Sequence, residues 1–480
     1  MKKLKNNWLF KSLSICILIA GLSSCKKYLD QVPENALTRD EFFKTEADAN
    51  SAIIGVYDAL QACNDEFLRW GEFRADLITS NTALDPVYLQ SFDNTNSVLV
   101  WTDPYRLIGR ANIVIERVPE IPALDIRFTD QESKEIVSEA LFLRSLTYFY
   151  LVRTFKEVPL ILDAPSSDAV DFLKPKVSAD SILNQIEADL ITAEKSLPAD
   201  RGRATETRGR ATRGAVNALQ ADVYLWRAKY AEAAAATKKV LDNISLYSLV
   251  PSDNWFKIFS EKNSSESIFE IQYDTQLAEI NTLRGLSNTQ LVNTTLYNLF
   301  TQELDLVRGL NRTYREAGSR QFWKYTGLTI DNVSRASDDP NFIVYRLPDV
   351  MLMRAEALIH VGDQEKIEAG VLINEVRKRA GIDSLENLIE TTPNDVFNFI
   401  ILKERAMELS MEGKRWFDLV RMATNENEPD ILLSRVVTSR AVSDRAQVRS
   451  RLIDPRSWYL PIHRDELSKN PNLVQNPYYK

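Results

Sequence analysis

Along most of the chain apolar side chains recur three and four positions apart, the spacing that lays one stripe along an α-helix. In "RGAVNALQADVYLWRAKYAEAAAATKKVLD", Val216, Leu219, Val223 and Trp226 fall on one face, and a break at Arg227 to Lys229 leads into an alanine-rich helix ending near Leu241. The arrangement returns in "RLPDVMLMRAEALIHVGDQEKIEAGVLINEVRKRAG". There Leu347, Met351, Ala355 and Leu358 share a face, and His360 to Asp363 form the break. Ala369, Ile373 and Val376 resume the pattern before Gly381, a C-cap. The same reading predicts helices over 45–63, 104–118, 129–154, 179–197 and 393–411.

Both hairpins place alanines twelve residues apart across their turn, Ala221 with Ala233 and Ala357 with Ala369. Small side chains there let antiparallel helices approach closely, and Tyr224 follows Ala221 by three, as in tetratricopeptide repeats. The expected fold class is mainly α: a tetratricopeptide-like solenoid of helical hairpins with loop-rich insertions, its pairs stable only as a stack.

Three stretches lack the helical period. Residues 64–101 are rich in Asn, Thr, Asp and aromatics, and read as long loops with a short strand. Residues 244–341 mix aromatics with Asn, Ser and Thr. "DRGRATETRGRATRG", with five arginines against Asp200 and Glu206, reads as a solvated linker into the helix at Ala215.

The amino terminus differs from all of this. Lys2, Lys3, Lys5 and Lys11 precede or edge a run of mostly apolar residues from Ser12 to Leu22. A membrane span needs roughly 20 apolar residues, so the run is too short and reads as an export signal. Its end, Leu22-Ser23-Ser24-Cys25, resembles a bacterial lipobox. The expected division is a lipoprotein signal peptide over 1–24 and a mature body over 25–480 anchored by acyl chains on Cys25, several of which hold firmly where one holds marginally. Within the body the sequence divides into N-terminal helices and loops (25–128), helical repeats (129–243), a loop-rich insertion (244–341), and C-terminal repeats with a closing segment (342–480).

Charge narrows the partners. The chain carries 59 Lys and Arg against 67 Asp and Glu, and loss of the leader's lysines makes the balance more negative, which argues against nucleic acid. With Cys16 removed and Cys25 acylated, only Cys63 remains and no internal disulfide is expected. Chemistry is sparse too. Two histidines, His360 and His463, a single free thiol and 15 glycines leave no metal-binding motif, no Cys–His pair and no phosphate loop, so neither a metal nor a cofactor is expected. Chance carboxylate pairs carry no weight among so many acids.

Several segments resemble the SusD/RagB family of surface nutrient-binding lipoproteins. They are "CKKYLDQVPENALTRDEFFKTEADANSAIIGVYDAL", "WTDPYRLIGRANIVIERV", "EALFLRSLTYFYLVRTFKEVPLIL", "FIVYRLPDVMLMRAEAL", "ERAMELSMEGKRWFDLVR" and "SWYLPIHRDELSKNPNLVQNPYY". His463 and Tyr478 depart from the family's usual proline and glycine. In "ERAMELSMEGKRWFDLVR", Glu404, Arg405, Glu412, Arg415 and Asp418 stand at helical spacings among apolar residues and read as pairing scaffold. Trp101, Trp226, Trp416 and Trp458 lie in such motifs and are assigned to packing.

The resemblance implies a non-catalytic lipoprotein at the outer face of the outer membrane. It would bind oligosaccharides or other nutrients for a TonB-dependent transporter of the SusC type. Two alternatives stay open, a helical glycan-degrading lipoprotein and an interaction scaffold without a nutrient ligand. Sugars present C–H faces and hydroxyl rims that suit aromatic rings beside amide, carboxylate and guanidinium groups. Candidate ligand contacts are Trp70, Asp76, Asn81, Tyr88, Phe92 and Asn94 in the first irregular region, and Tyr314, Arg320 and Trp323 in the second, where Trp255 and Tyr325 are also weighed.

Overall fold

Reciprocal caps start two of the long helices. Thr45 opens α1 (Glu46–Ala62): its hydroxyl accepts from the Asp48 amide, and the Asp48 carboxylate accepts from the Thr45 amide at 2.8 Å. The helix α2 (Thr102–Arg117) follows the first irregular region. Thr129 and Glu132 then cap α3 (Asp130–Phe155), whose residues from Ser138 onward are buried on every side, as a helix at the centre of a body must be. This computed structural model describes residues 42–82, 84–165, 173–283, 285, 289–316, 320–331 and 333–480. The expected leader and Cys25 lie outside them. Residues Thr45–Lys480 form one unit, and the account concerns that unit.

Around α3 the helices stack in pairs. Along it lies α4 (Ala179–Ser196), followed by the hairpin of α5 (Arg213–Trp226) and α6 (Tyr230–Leu241). The insertion contributes α7 (Thr294–Gln302), and the second hairpin joins α8 (Leu347–Val361) to α9 (Glu365–Arg379). Contact between α6 and α8 seats one hairpin on the other, and Ala221, Ala233, Ala357 and Ala369 are all fully buried. Then come α10 (Asn394–Leu409), α11 (Arg415–Asn425), α12 (Asp430–Thr438) and α13 (Val442–Leu452), followed by a closing segment with one short α-helix, Arg464–Lys469. This is the mainly helical, tetratricopeptide-like stack that the periodicity predicts, with Gly381 at φ +71° closing α9.

Short strands occupy the irregular regions: β1 (Ile78–Ser80), β2 (Ser267–Ile271), β3 (Gln290–Val292), β4 (Tyr314–Glu316), β5 (Arg320–Phe322) and β6 (Phe342–Arg346). An antiparallel sheet of order β1-β3-β5-β4 joins the first irregular region to the second, with Ile78 opposite Val292 and Leu291 opposite Gln321. A separate pair, β2 and β6, runs into α8.

Three local expectations are corrected. Residues 200–214 are no solvated linker. Arg210 forks onto Glu139 at 2.6 and 2.9 Å, Arg201 reaches the same carboxylate, and Arg208 lies over Tyr247, because a carboxylate buried in α3 requires cations from outside the helix. His360 remains helical, its ring stacked on Tyr230 at 4.0 Å, so the break falls at Gly362 to Gln364. "ERAMELSMEGKRWFDLVR" is two helices, α10 and α11, separated by a turn in which Met411 and Gly413 take positive φ. There the backbone of Gly71 meets that of Gly413 so closely that a Cβ on Gly71 would lie 1.8 Å from the Gly413 carbonyl oxygen.

That turn is held by charge. Glu408 accepts from Arg308 at 2.9 Å, from Arg346 at 2.5 Å and from Arg379. Glu412 takes Arg346 and Lys324 at 2.9 Å each, and Glu266 joins Arg346 to Arg379. Burial alone would raise the Glu408 carboxyl, but Arg379, Arg346 and Arg308 hold it well below the usual carboxylate range. Asp349 behaves alike: against burial, Lys414 and Arg405 keep it at about 2. Glu72 is the opposite case. Burial pushes its carboxyl up to about 7, one oxygen accepting from the Met411 amide at 3.0 Å and the other without a partner.

Glu408→Ala leaves three buried guanidinium groups short of their shared counter-charge. The expected loss is about 3–5 kcal/mol in urea denaturation, and a loss below 1 kcal/mol would overturn this account of the turn. Glu72 carries the reverse pH dependence to Asp349. Its raised folded pKa gives stability complete below about pH 4.5 and lost as pH rises through 7, whereas that of Asp349 is complete above about pH 4 and lost as pH falls to 2. Glu72→Gln should therefore gain on the parent by on the order of 3 kcal/mol between pH 5 and 8. Melting curves across that range test it, and parallel profiles for the two proteins would count against it.

Candidate functional site

Where the four-stranded sheet meets α7, α12 and α13, the surface opens into a polar cavity of ≈ 580 Å³. Its walls come from three distant parts of the chain. β1 and the loop after it supply Thr79 and Tyr88, the insertion supplies Asn293 to Thr295, Asn298 and Arg320, and the C-terminal helices supply Thr438 to Ala441 and Arg445.

Backbone pairing places the first two walls. Asn293 donates its amide to the Leu77 carbonyl at 2.9 Å, extending the β1–β3 ladder. Its side-chain oxygen caps α7 by accepting from Thr295, and its side-chain nitrogen donates to the Ser439 carbonyl at 2.8 Å, tying on the third wall. Arg440 completes the floor. Its guanidinium donates to the carbonyls of Tyr88, Ala75 and Arg74 at 2.8 to 3.0 Å and to the Ser439 hydroxyl, and lies 4.0 Å from the centre of the Tyr88 ring. Burial lowers its pKa to about 10. At the rim Arg320 donates to the Thr294 hydroxyl at 3.2 Å and covers Tyr297, while Arg445 donates to the carbonyls of Arg440 and Thr438.

Tyr88 and Arg320, named from opposite ends of the sequence, thus share one cavity. The other candidates do not join them. Trp70 is 1% exposed, its indole donating to the Val98 carbonyl and its ring edge-on to Phe155. Asp76 is fully buried in a two-pronged pair with Arg415 at 2.7 and 2.9 Å. Tyr314 packs against Tyr297, and Trp323 donates to the Thr329 carbonyl beneath the Arg315 guanidinium. The structure places these four in the core, the three rings because large apolar surface lowers its free energy by leaving water and Asp76 because Arg415 supplies its counter-charge. Trp255 and Tyr325 are core as well, and Lys324 is spent on Glu412 and on the carbonyls of Glu408 and Ser410. Asn81 and Asn94 are exposed, Phe92 is half-buried beneath Arg74, and none of the three lines the cavity.

Thr79, Asn293, Thr438, Arg440 and Arg445 escaped the sequence reading. Only Asn293 left a signal, as the cap before Thr294 and Thr295. A second cavity of ≈ 510 Å³, with Trp101, Tyr105, Ile108, Pro165 and Leu173 in its lining, is mainly apolar. No group of three or more His, Cys, Asp or Glu among the described residues could hold a metal ion.

Residues 255–479 match the family described as the SusD family, and residues 27–225 match one described as starch-binding associating with outer membrane. A SusD-like protein of Formosa agariphila is 26% identical over 98% of this chain and 99% of its own. A solved SusD superfamily protein from Bacteroides vulgatus superposes with a TM-score of 0.75 at 23% identity, over 91% of this chain and 100% of that one. A solved laminarin-binding SusD-like protein does so at 0.70 and 23%, with the same coverage. Matched in both halves, along nearly its whole length and in its stacked hairpins, the chain belongs to the SusD/RagB family.

Proposed function

We propose that the protein is a non-catalytic lipoprotein at the outer face of the outer membrane, which captures oligosaccharides and passes them to a TonB-dependent transporter of the SusC type. The cavity carries this reading. It offers one half-buried ring, threonine hydroxyls, asparagine amides and guanidinium groups, a set that matches the C–H faces and hydroxyl rims of sugars. No described residue lining it is Asp, Glu, His, Cys or Lys, so the described walls supply neither a carboxylate pair for glycoside hydrolysis nor an imidazole base to activate Ser439 or a threonine. The carboxylates of "ERAMELSMEGKRWFDLVR" are tied into buried ion pairs. The laminarin-binding neighbour supports a glycan as ligand, and the outer-membrane association in the matched family's description supports the location. No helix among the described residues is long and apolar enough to cross a membrane, and in this reading acyl chains on Cys25 hold the body there. The hairpin stack docks on the transporter while the sheet-and-loop face holds the ligand.

Purified protein on a glycan array should bind at least one oligosaccharide and release no reducing ends over long incubation; released ends would replace capture with hydrolysis. For that ligand, Tyr88→Ala should weaken binding about twofold to tenfold and Tyr88→Phe should restore it, since the ring face supplies the contact. Equal affinity of the alanine variant would remove Tyr88 from the site. Cys25→Ala should move the protein from the membrane fraction to the soluble one, and its retention after a high-salt wash would contradict a lipid tether.

A further inference from the structure

The arginines around the cavity differ from those in the rest of the body. Elsewhere most buried guanidinium groups meet carboxylates, as Arg346 meets Glu408 and Glu412, Arg415 meets Asp76 and Arg421 meets Glu356, while Arg208, which donates to the Leu246 carbonyl, is an exception. Arg440 is buried against carbonyl and hydroxyl oxygens alone, and Arg74 behind it holds the Gln90 amide oxygen and the carbonyls of Ser457 and Trp458. The acids that act on Arg440 are already engaged. Asp76 sits in the Arg415 fork, and Asp85 accepts from the Ser80 hydroxyl and from the amides of Val87 and Tyr88. Arg445, half-exposed, bonds to carbonyl oxygens, and Arg320, also half-exposed and opposite Glu316 in the β4–β5 pair, donates among the described side chains to the Thr294 hydroxyl. The positive end of α7 opens on the same space through Thr294 and Thr295.

Three guanidinium groups therefore line a cavity whose described walls hold no carboxylate, in a chain whose acids outnumber its bases. We propose that this cavity takes an anionic saccharide, whose carboxylate or sulfate ester is received by Arg320 and Arg445 while the Tyr88 ring and the threonine hydroxyls hold the sugar. The inference rests on the glycan-capture reading and names its ligand class. Planar guanidinium groups bind carboxylate and sulfonate-like oxygens in pairs, and behind them Arg440 and Arg74 add positive charge whose hydrogen bonds go to neutral oxygens.

The test compares oligogalacturonate, a sulfated galactan oligosaccharide and neutral laminari- and malto-oligosaccharides by calorimetry, with the parent protein and with Arg320→Gln and Arg445→Gln. Both substitutions are at half-exposed positions, and unchanged melting curves would establish that the variants are folded. At least one anionic class should bind more tightly than either neutral class and weaken as sodium chloride is raised from 50 to 500 mM. Each variant should bind it about tenfold to a hundredfold more weakly, the loss expected when one charged hydrogen bond is removed. Methyl esterification or desulfation of the bound ligand should have the same effect and identifies which group is read. Tighter binding of a neutral class, with both variants at parental affinity, would overturn the anionic assignment and leave glycan capture standing. Failure of every saccharide to bind would overturn both.

Discussion

One carboxylate, Glu408, receives three arginines from three separate parts of the fold: Arg308 from the insertion, Arg346 from the end of β6 and Arg379 from the end of α9. Through Arg346 and Arg379 it is linked to Glu266, and through Arg346 to Glu412 and Lys324. Desolvating such groups costs several kcal/mol per ion, so apolar side chains of similar volume could hold these elements together at least as well. What the charges add is selectivity. A misplaced strand or helix would leave an unpaired ion in the interior, and the insertion, which has little helical stacking of its own, is held in register by that penalty.

A second set of ions carries the same constraint towards the cavity. Arg405 bridges Asp349 and Asp418, Arg421 joins Asp418 to Glu356, and Arg415 reaches across to Asp76 beside β1. Beyond Asp76 the character changes. Arg74 and Arg440 hold the loop with hydrogen bonds to neutral oxygens. The passage from the hairpin stack to the cavity is thus a passage from ion pairs to neutral hydrogen-bond partners as well as a change in secondary structure.

The hairpins were legible because a helix writes its buried face at a fixed interval, and Val216, Leu219 and Val223 or Leu347, Met351 and Ala355 keep it. The sheet was less so. Strands of three residues are too short to show alternation, and the pairing of Ile78 with Val292 joins residues far apart in sequence. The site was legible in half of its chemistry. Residue type picked out Tyr88 and Arg320 but equally Trp70, Asp76, Tyr314 and Trp323, because nothing local separates a ring that lines a cavity from one that fills a core. The partner that buries Asp76 lies 339 residues away. Arg440, in the break between α12 and α13, and Arg445, in the first turns of α13, belong to a stretch without aromatics, where arginine ordinarily means a solvated surface.

The cavity's third wall begins at Thr438 and is finished at Arg445, close to the end of the chain, and the Arg74 that backs it is gripped by Ser457 and Trp458 later still. During synthesis the cavity comes into being only after almost every other element has been delivered. A copy cut short before Thr438 keeps two walls and leaves the cavity open on its third side.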